Sequence, residues 1–169
     1  MKSLFASIII FITLTTTAIA QSEKQVYGYV ERVWLPEAGI SLKAKLDTGA
    51  KSSSLNVIDI REIKEKKTNY LVFRIPDGQG GSVELRQKRV GRVRVKIHSE
   101  IGAKLNQSFT RRPIIIMPIR IGNKIRKIRI NLTNRENFLY PMLLGRDAIE
   151  AFDGIVDPEM TFTVKTKPD

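Results

Sequence analysis

The chain lacks cysteine and is nearly without histidine, and these absences remove several classes of function. Its 169 residues contain no cysteine and one histidine, His98. Without cysteine there is no disulfide scaffold, thiol nucleophile, iron–sulfur cluster or cysteine zinc site. A single histidine excludes a two-histidine metal site within one chain, and it leaves a Ser-His-Asp triad with one candidate base.

Acidic residues are also scarce relative to basic ones. The sequence has 17 Asp and Glu against 29 Lys and Arg, which gives a formal net charge of +12. Residues 86–130 hold 14 of the basic residues and a single acid, Glu100. This basic block is either the solvated outer face of a sheet or a surface for an anionic partner. Such a partner could be a peptidoglycan polymer, an acidic peptide, phospholipid headgroups or nucleic acid; of these we expect an anionic envelope polymer and no nucleic acid. A third hypothesis is a basic β-barrel that binds polyanions.

Long hydrophobic runs are missing except at the N-terminus. Lys2 precedes an apolar run over residues 4–14, and Ala18-Ile19-Ala20 follows it. This is the order of a cleavable signal peptide, and the run is too short and too rich in threonine for a membrane span. An uncleaved N-terminal anchor is the alternative. We expect residues 1–20 to be removed on export to the bacterial periplasm and residues 21–169 to form a single domain.

Short alternating segments fill the rest of the sequence and predict an all-β domain. Strands are expected at 26–35, 40–46, 54–63, 69–75, 89–97, 114–121, 125–132, 142–144 and 160–164, with a turn at 156–158. A helix over 58–67 is an alternative to a strand there. One short helix is expected near the C-terminus, over 146–152. Many short strands joined by turns indicate a barrel or a sandwich.

The candidate for chemistry is Asp47-Thr48-Gly49-Ala50, which directly follows the segment expected to be a strand at 40–46. The carboxylate would lie at the end of that strand on a tight turn, where glycine avoids a clash. Four residues of this kind are weak evidence alone, because Asp and Gly are ordinary turn residues. A second motif, Leu143-Leu144-Gly145-Arg146-Asp147, places two aliphatic residues and a glycine before the expected helix.

Together the two motifs resemble the retropepsin-like aspartic proteases, which implies a closed β-barrel with one short C-terminal helix. The chain is also similar to a bacterial branch of that fold that bears the inherited name of ATP-dependent zinc protease and is often encoded near ATP-grasp peptide ligases. The matching stretches are 34–36, 43–55, 112–114, 132–135, 142–146 and 156–158, in the expected order. We nevertheless expect no cofactor, because the sequence has neither HExxH nor GxxxxGK[ST].

The resemblance implies a mechanism with two carboxylates that share one proton and activate a water molecule. This chain has one Asp-Thr-Gly motif, so the dyad requires a symmetric homodimer in which each copy supplies Asp47. The implied roles are catalysis for Asp47 and support of the active site for Thr48, Gly49, Ala50, Leu143, Leu144, Gly145 and Arg146. Arg146 would brace the dimer.

Retropepsin-like enzymes close a β-hairpin flap over the substrate. Two segments compete for that role, residues 99–107, which we prefer, and the turn at 78–81. The functional hypothesis is a periplasmic, homodimeric aspartic endopeptidase that hydrolyses peptide or isopeptide bonds of a peptide or protein substrate. The alternative is a non-catalytic retropepsin-fold binding module of the cell envelope.

Overall fold

The computed structural model describes residues 23–97 and 108–168, and these residues are mostly β-strand. The elements in chain order are β1 Gln25–Leu35, β2 Ile40–Leu46, β3 Ser53–Asn56, β4 Ile58–Glu65, β5 Thr68–Pro76, β6 Ser82–Lys88, β7 Gly91–Ile97, β8 Ser108–Ile121, β9 Lys124–Thr133, β10 Met142–Leu144, α1 Arg146–Ala151 and β11 Gly154–Thr161. In this part of the chain, no helix has the length and apolar character needed to cross a membrane. The expected signal peptide at 1–20 and the preferred flap segment at 99–107 lie outside the described residues.

Eight strands form the larger sheet, in the order β11-β1-β2-β10-β3-β9-β8-β7. The short strand β10 lies between β2 and β3, parallel to the first and antiparallel to the second. One residue pair, Trp34 opposite Arg120, also brings β8 back to β1. The described residues therefore have the expected mostly-β fold with one short helix, and β11 follows that helix as a last strand.

The core follows from the alternation of side chains along these strands. In β8, Ile115, Met117 and Ile119 are fully buried, whereas Ile116 between them is exposed. Buried residues from both sheets and α1 form one apolar cluster, which includes Val33, Leu35, Ala44, Leu55, Phe73, Ile115, Met117, Ile130, Met142 and Ala148. This cluster fixes the strands that carry the two sequence motifs.

A buried carboxylate ties the first strand to the C-terminal segment. Glu31 of β1 is fully buried. Its Oε1 accepts hydrogen bonds from the backbone N–H of Gly28 and of Thr163, each 2.8 Å long, and from the Thr163 hydroxyl at 2.6 Å. The register between β1 and β11 shifts between Gly28 and Val30, so the carboxylate occupies the irregular point of this parallel pair.

The strands β4, β5 and β6 form a separate antiparallel sheet. The alternative helix over 58–67 is wrong, because β4 and β5 pair through the turn at Lys66 and Lys67. Strand β6 was missed, because Ser82–Lys88 contains only two apolar residues, Val83 and Leu85, among polar ones. The turn at 78–81, the second candidate for the flap, joins β5 to β6 in this smaller sheet.

The C-terminal prediction needs one further correction. A turn was expected at 156–158 and a strand at 160–164, whereas β11 runs without interruption from Gly154 to Thr161. Pro158 is tolerated because β11 is at the edge of the sheet, and the missing N–H of proline does not interrupt a ladder on both sides.

Candidate functional site

Strand pairing brings the two sequence motifs together. Leu143 and Leu144 of β10 lie opposite Lys45 and Leu46 at the end of β2. The backbone N–H of Asp47 then donates to the Leu144 carbonyl at 2.8 Å. The Asp47 turn is therefore attached to the aliphatic pair that the resemblance implied as its support.

The Asp47 carboxylate is held by groups on both sides. Its Oδ1 accepts the Gly49 N–H at 3.0 Å, and its Oδ2 accepts the Lys45 ammonium at 3.2 Å. Burial works to raise the pKa of Asp47, but the hydrogen bonds from Lys45 and Gly49, the charge of Lys45 and the Ala50 backbone outweigh it, so the pKa is lowered from 3.8. In a single chain Asp47 is thus ionised at neutral pH.

The residues after Asp47 are docked on the start of α1. The Arg146 and Asp147 N–H groups donate to the carbonyls of Ala50 and Lys51 at 2.9 and 3.1 Å. The Arg146 guanidinium donates to the Thr48 carbonyl at 2.7 Å. The first helical N–H groups, which have no partner inside a helix, are therefore satisfied by this loop. Arg146 therefore braces the turn of its own chain. Its expected role in a dimer stays a prediction.

Gly145 allows this close approach. A Cβ at this position would lie 2.8 Å from the Lys51 carbonyl group and from the Ser52 backbone, so any side chain would push the helix away from the loop. The Gly145 N–H donates to the buried Ser53 hydroxyl at 3.2 Å. Thr48 and Gly49 are exposed at the tip of the turn. The eight residues implied by the resemblance are thus assembled at one place, although their catalytic roles stay predictions.

Beneath this turn lies a buried polar network. Asn131 donates through Nδ2 to the Ser53 carbonyl at 2.5 Å, and the Arg135 N–H donates to Asn56 Oδ1 at 2.6 Å. The Arg135 guanidinium donates to the Ser54 hydroxyl at 2.8 Å. Apart from Glu31, the buried polar residues of the described chain all belong to this network: Ser53, Ser54, Asn56, Asn131 and Arg135. Buried polar groups are costly unless paired, so their concentration marks a built site.

An open pocket of about 1100 Å³ borders this network and the Asp47 turn. Its walls come from the loop after Asp47, from β7 to β10, from the loop at 134–141 and from the start of α1; the lining residues are Ala50, Lys51, Ser52, Ser54, Val93, Arg94, Val95, Arg112, Asn131, Arg135, Phe138, Leu143 and Asp147. Asp47 does not line the pocket, but its charge reaches Arg135 within it: burial and the charge of Arg112 lower the pKa of that guanidinium, and Asp47 offsets part of this lowering.

The pocket is strongly cationic. Lys51, Arg94, Arg112 and Arg135 line it, against the single acid Asp147. Burial lowers the pKa of Arg112 and of Arg135, and the charge of Arg112 lowers that of Arg135 further. The two guanidinium groups therefore repel one another in a partly desolvated space.

Sequence reasoning missed these cations and also Lys45. Lys45 is two residues before Asp47 and so lies on the same side of the strand, which was the available signal. Lys51, Arg112 and Arg135 lie within stretches that carried the family resemblance, but nothing in the sequence showed that these cations meet, because they are far apart along the chain. They meet because β3 pairs with β9 and β7 pairs with β8.

No cluster of three or more His, Asp or Glu side chains placed to hold a metal ion occurs within residues 23–97 and 108–168. The chemistry that these residues display is that of one ionised carboxylate beside a pocket of cations. These two stretches therefore provide no set of zinc ligands.

The β-sheet order, the Asp-Thr-Gly turn and the glycine that docks α1 define a protein of the retropepsin-like class. Residues 26–167 match the RimB-like family model, described as retropepsin-like aspartic endopeptidase RimB, and the chain belongs to this family. The crystal structure of protein Lpg0085 of unknown function from Legionella pneumophila is similar to it, with 45% identity and a TM-score of 0.70 over 83% of this chain and 98% of that chain.

Curated relatives carry a different name. A "Probable alpha-L-glutamate ligase" of Shewanella pealeana is 30% identical over 86% of this chain and 31% of its own length. A protein of the same name from Parasynechococcus marenigrum is 29% identical over 82% of this chain and 29% of its own length. The chain thus spans about a third of the length of the curated relatives that it matches.

These names correct the function predicted from the sequence. The prediction of a periplasmic, homodimeric endopeptidase, with an envelope binding module as its alternative, is wrong as a statement of function, because the curated relatives are named as ligases. The physical reason is that an Asp-Thr-Gly turn and its supporting strands identify a fold, whereas a reaction depends on the whole site.

Proposed function

We propose that the chain is a glutamyl-peptide-binding protein that works together with α-glutamate ligation. The observation that carries this proposal is the cationic pocket beside the Asp47 turn, where four basic side chains face one acid. The names of the curated relatives supply the ligand class, because an α-L-glutamate ligase handles chains with one carboxylate per residue.

Carboxylates suit this pocket for electrostatic reasons. Guanidinium groups present planar N–H donors that match a carboxylate, and such charge-assisted bonds are stronger than neutral ones. The apolar parts of Val93, Val95 and Leu143 complete the walls and would pack against the methylene groups of glutamate. A cavity of about 1100 Å³ has room for several residues of an extended peptide.

Titration calorimetry with tri-α-L-glutamate and tri-L-glutamine tests the proposal. The two peptides have nearly the same shape, but only the first carries side-chain carboxylates. We expect the glutamate peptide to bind at least about tenfold more tightly, and its affinity to fall as salt is added. Equal affinity for both peptides, or binding of neither, would contradict the proposal.

A peptidase activity is the second candidate function, and the geometry of Asp47 favours it. We propose that this carboxylate, ionised and oriented by Gly49 and Lys45, acts as a base on a water molecule that attacks a peptide carbonyl of the glutamyl chain; the C–N bond breaks, the leaving amine takes the proton, and the protein is then an aspartic-type peptidase of α-glutamyl peptides. Support comes from the description of the family. The curated relatives that are named as ligases are about three times as long as this chain.

Asp47→Asn separates the binding and enzyme proposals. The amide keeps the shape of the carboxylate but cannot act as a base, so turnover of tri-α-L-glutamate should stop while its binding persists. Chromatographic detection of free glutamate measures turnover, and calorimetry measures binding. Unchanged turnover in a folded Asp47→Asn protein would remove Asp47 from the chemistry and leave the binding proposal untouched.

Four further statements stay proposals. The retropepsin fold suggests that the eight-stranded sheet closes as a barrel, and the pair Trp34 and Arg120 supports this. The homodimer, the single domain at 21–169, and the export of the chain to the periplasm with loss of residues 1–20 are the others. Sedimentation tests the dimer, and N-terminal sequencing of the protein from envelope fractions tests export. Contact of the basic block 86–130 with an anionic envelope polymer would be tested by co-sedimentation.

A further inference from the structure

The two arginines at the base of the pocket are held in different ways. Arg135 donates to the Ser54 hydroxyl at 2.8 Å and to the Tyr140 carbonyl at 3.2 Å, and its guanidinium lies 4.3 Å from the centre of the Phe138 ring. It is only 7% exposed. Its donors are therefore largely occupied within the chain, and it forms part of the wall.

Arg112 has donors to spare. Its Nη1 lies 3.5 Å from Asn131 Oδ1, which is the length limit of a hydrogen bond. Its Nε is buried, and no group within residues 23–97 and 108–168 accepts a hydrogen bond from it. No acidic side chain in these residues forms an ion pair with Arg112, although burial raises the cost of its charge. A buried donor without an acceptor is unfavourable, so an acceptor that arrives with a ligand gains most at this point.

The surroundings orient Arg112 for such a ligand. Asn131 donates through Nδ2 to the Ser53 carbonyl at 2.5 Å, and this bond fixes its amide so that Oδ1 faces Arg112. On the other side, Arg112 lies opposite Val93 in the β7–β8 pair, and both residues line the pocket. The guanidinium is thus anchored at one corner, and Arg112 is partly exposed where it lines the pocket.

We propose that Arg112 is the specificity-determining residue of the pocket and binds the side-chain carboxylate of a glutamyl residue, with Arg135 as a positioning residue that holds the Ser54 and Phe138 wall. This inference rests on the proposed function, because it names the group that distinguishes glutamate from glutamine. A carboxylate held by the accessible part of the guanidinium would offset the repulsion between the two arginines.

The experiment compares Arg112→Gln with Arg111→Gln as its matched control. Arg111 is the preceding residue of β8, is exposed, and does not line the pocket. Both variants lose one positive charge, so long-range attraction of an anionic peptide falls equally. We expect Arg112→Gln to bind tri-α-L-glutamate about tenfold to a hundredfold more weakly while tri-L-glutamine affinity is unchanged, and Arg111→Gln to bind both peptides nearly as the wild type does.

Arg112→Lys is the second variant, and it keeps the charge without the planar pair of donors. We expect it to lose most of the preference for glutamate over glutamine, with a melting temperature close to that of the wild type. A full preference in both folded Arg112 variants would overturn the inference while the proposed function stands. If the wild type itself shows no preference for the glutamate peptide, the proposed function fails, and the inference fails with it.

Discussion

Arginine is used differently in the three-stranded sheet and in the pocket. In the sheet, Arg61 pairs with Glu84 at 3.1 Å and Arg74 with Asp59 at 3.5 Å. A further pair joins Arg86 to Glu65 within this sheet, and Glu62 of β4 also pairs with Arg89, which follows β6, and with Arg92 of β7. Among the described residues, none of the four pocket cations has such an ion pair, although Arg112 and Arg135 are less exposed than most of the paired arginines.

The difference separates charges that serve the fold from charges that await a ligand. The sheet neutralises its cations at the surface, where each pair contributes little. In the pocket, by contrast, four cations face the single acid Asp147 without an ion pair among the described residues, and burial of Arg112 and Arg135 makes their charges costly. Such a cost is tolerated where binding requires it, which supports the proposal that the pocket, and not the three-stranded sheet, binds the ligand.

The largest loss of stability is expected for Arg135→Met, which removes the pocket cation with the most hydrogen bonds. Ser54 and the Tyr140 carbonyl would lose their donor in a buried place, and the free energy of unfolding should fall by about 2 kcal/mol. Urea denaturation measures the change. Arg135→Lys, which keeps one charged donor, should recover part of the loss. A variant with methionine as stable as the wild type would show that this arginine serves only the ligand.

An intermediate loss of stability is expected for Asp47→Asn, because Asp47 forms an ion pair with Lys45. Its pKa is lowered in the folded chain, so the carboxylate stabilises the fold above its ordinary pKa of 3.8, and this contribution is lost as the pH falls through the folded value. Asp47→Asn should be less stable than the wild type by up to about 1 kcal/mol at neutral pH.

Denaturation at several pH values measures the difference between Asp47→Asn and the wild type. The difference should disappear in strong acid, below the folded pKa. A constant difference at all pH values would mean that the amide disturbs the turn for a reason other than charge. Lys45→Met is the matched change on the cation, and it should shift the wild-type profile toward higher pH.

The smallest loss of stability is expected for Arg61→Gln in the three-stranded sheet. Both side chains of the pair with Glu84 are more than half exposed, at 66% and 55%. The free energy of unfolding should therefore change by less than about 0.5 kcal/mol, and glutamyl-peptide binding should be unaffected. A double-mutant cycle with Glu84→Gln measures the pair. A loss as large as that for Arg135→Met would break the contrast between the two regions.

Much of the fold could be predicted from local patterns. The alternation in β8 and β9 around Gly122-Asn123 and the aliphatic strand β10 each predicted one element, and the structure confirms them. Strand β6 gave no such signal, because its polar residues face solvent on a small sheet. Strand β11 was obscured by Pro158, whose effect depends on whether a strand lies at an edge, and that is decided by the whole topology.

The candidate site was predictable only in part. Asp47 and Gly145 are recognisable because each lies within a short motif whose backbone geometry needs those residues. Arg112 and Arg135 lie within two stretches that carried the family resemblance, 112–114 and 132–135, but the resemblance assigned neither of them a role. One lies on β8 and the other follows β9. Their meeting depends on the strand register, and the lack of an acceptor for the Arg112 Nε among the described residues depends on how all of those residues pack. Neither property belongs to a local stretch of sequence.

The buried carboxylate of Glu31 has a consequence for the order in which the chain folds. Its partners Gly28 and Thr163 lie 135 positions apart, so β1 emerges first during synthesis but acquires its last neighbour at the end. Closing so long a loop is entropically expensive and slows folding in domains dominated by distant contacts. We therefore expect β1 and its carboxylate to remain hydrated until β11 docks, which makes that docking the final cooperative step of folding.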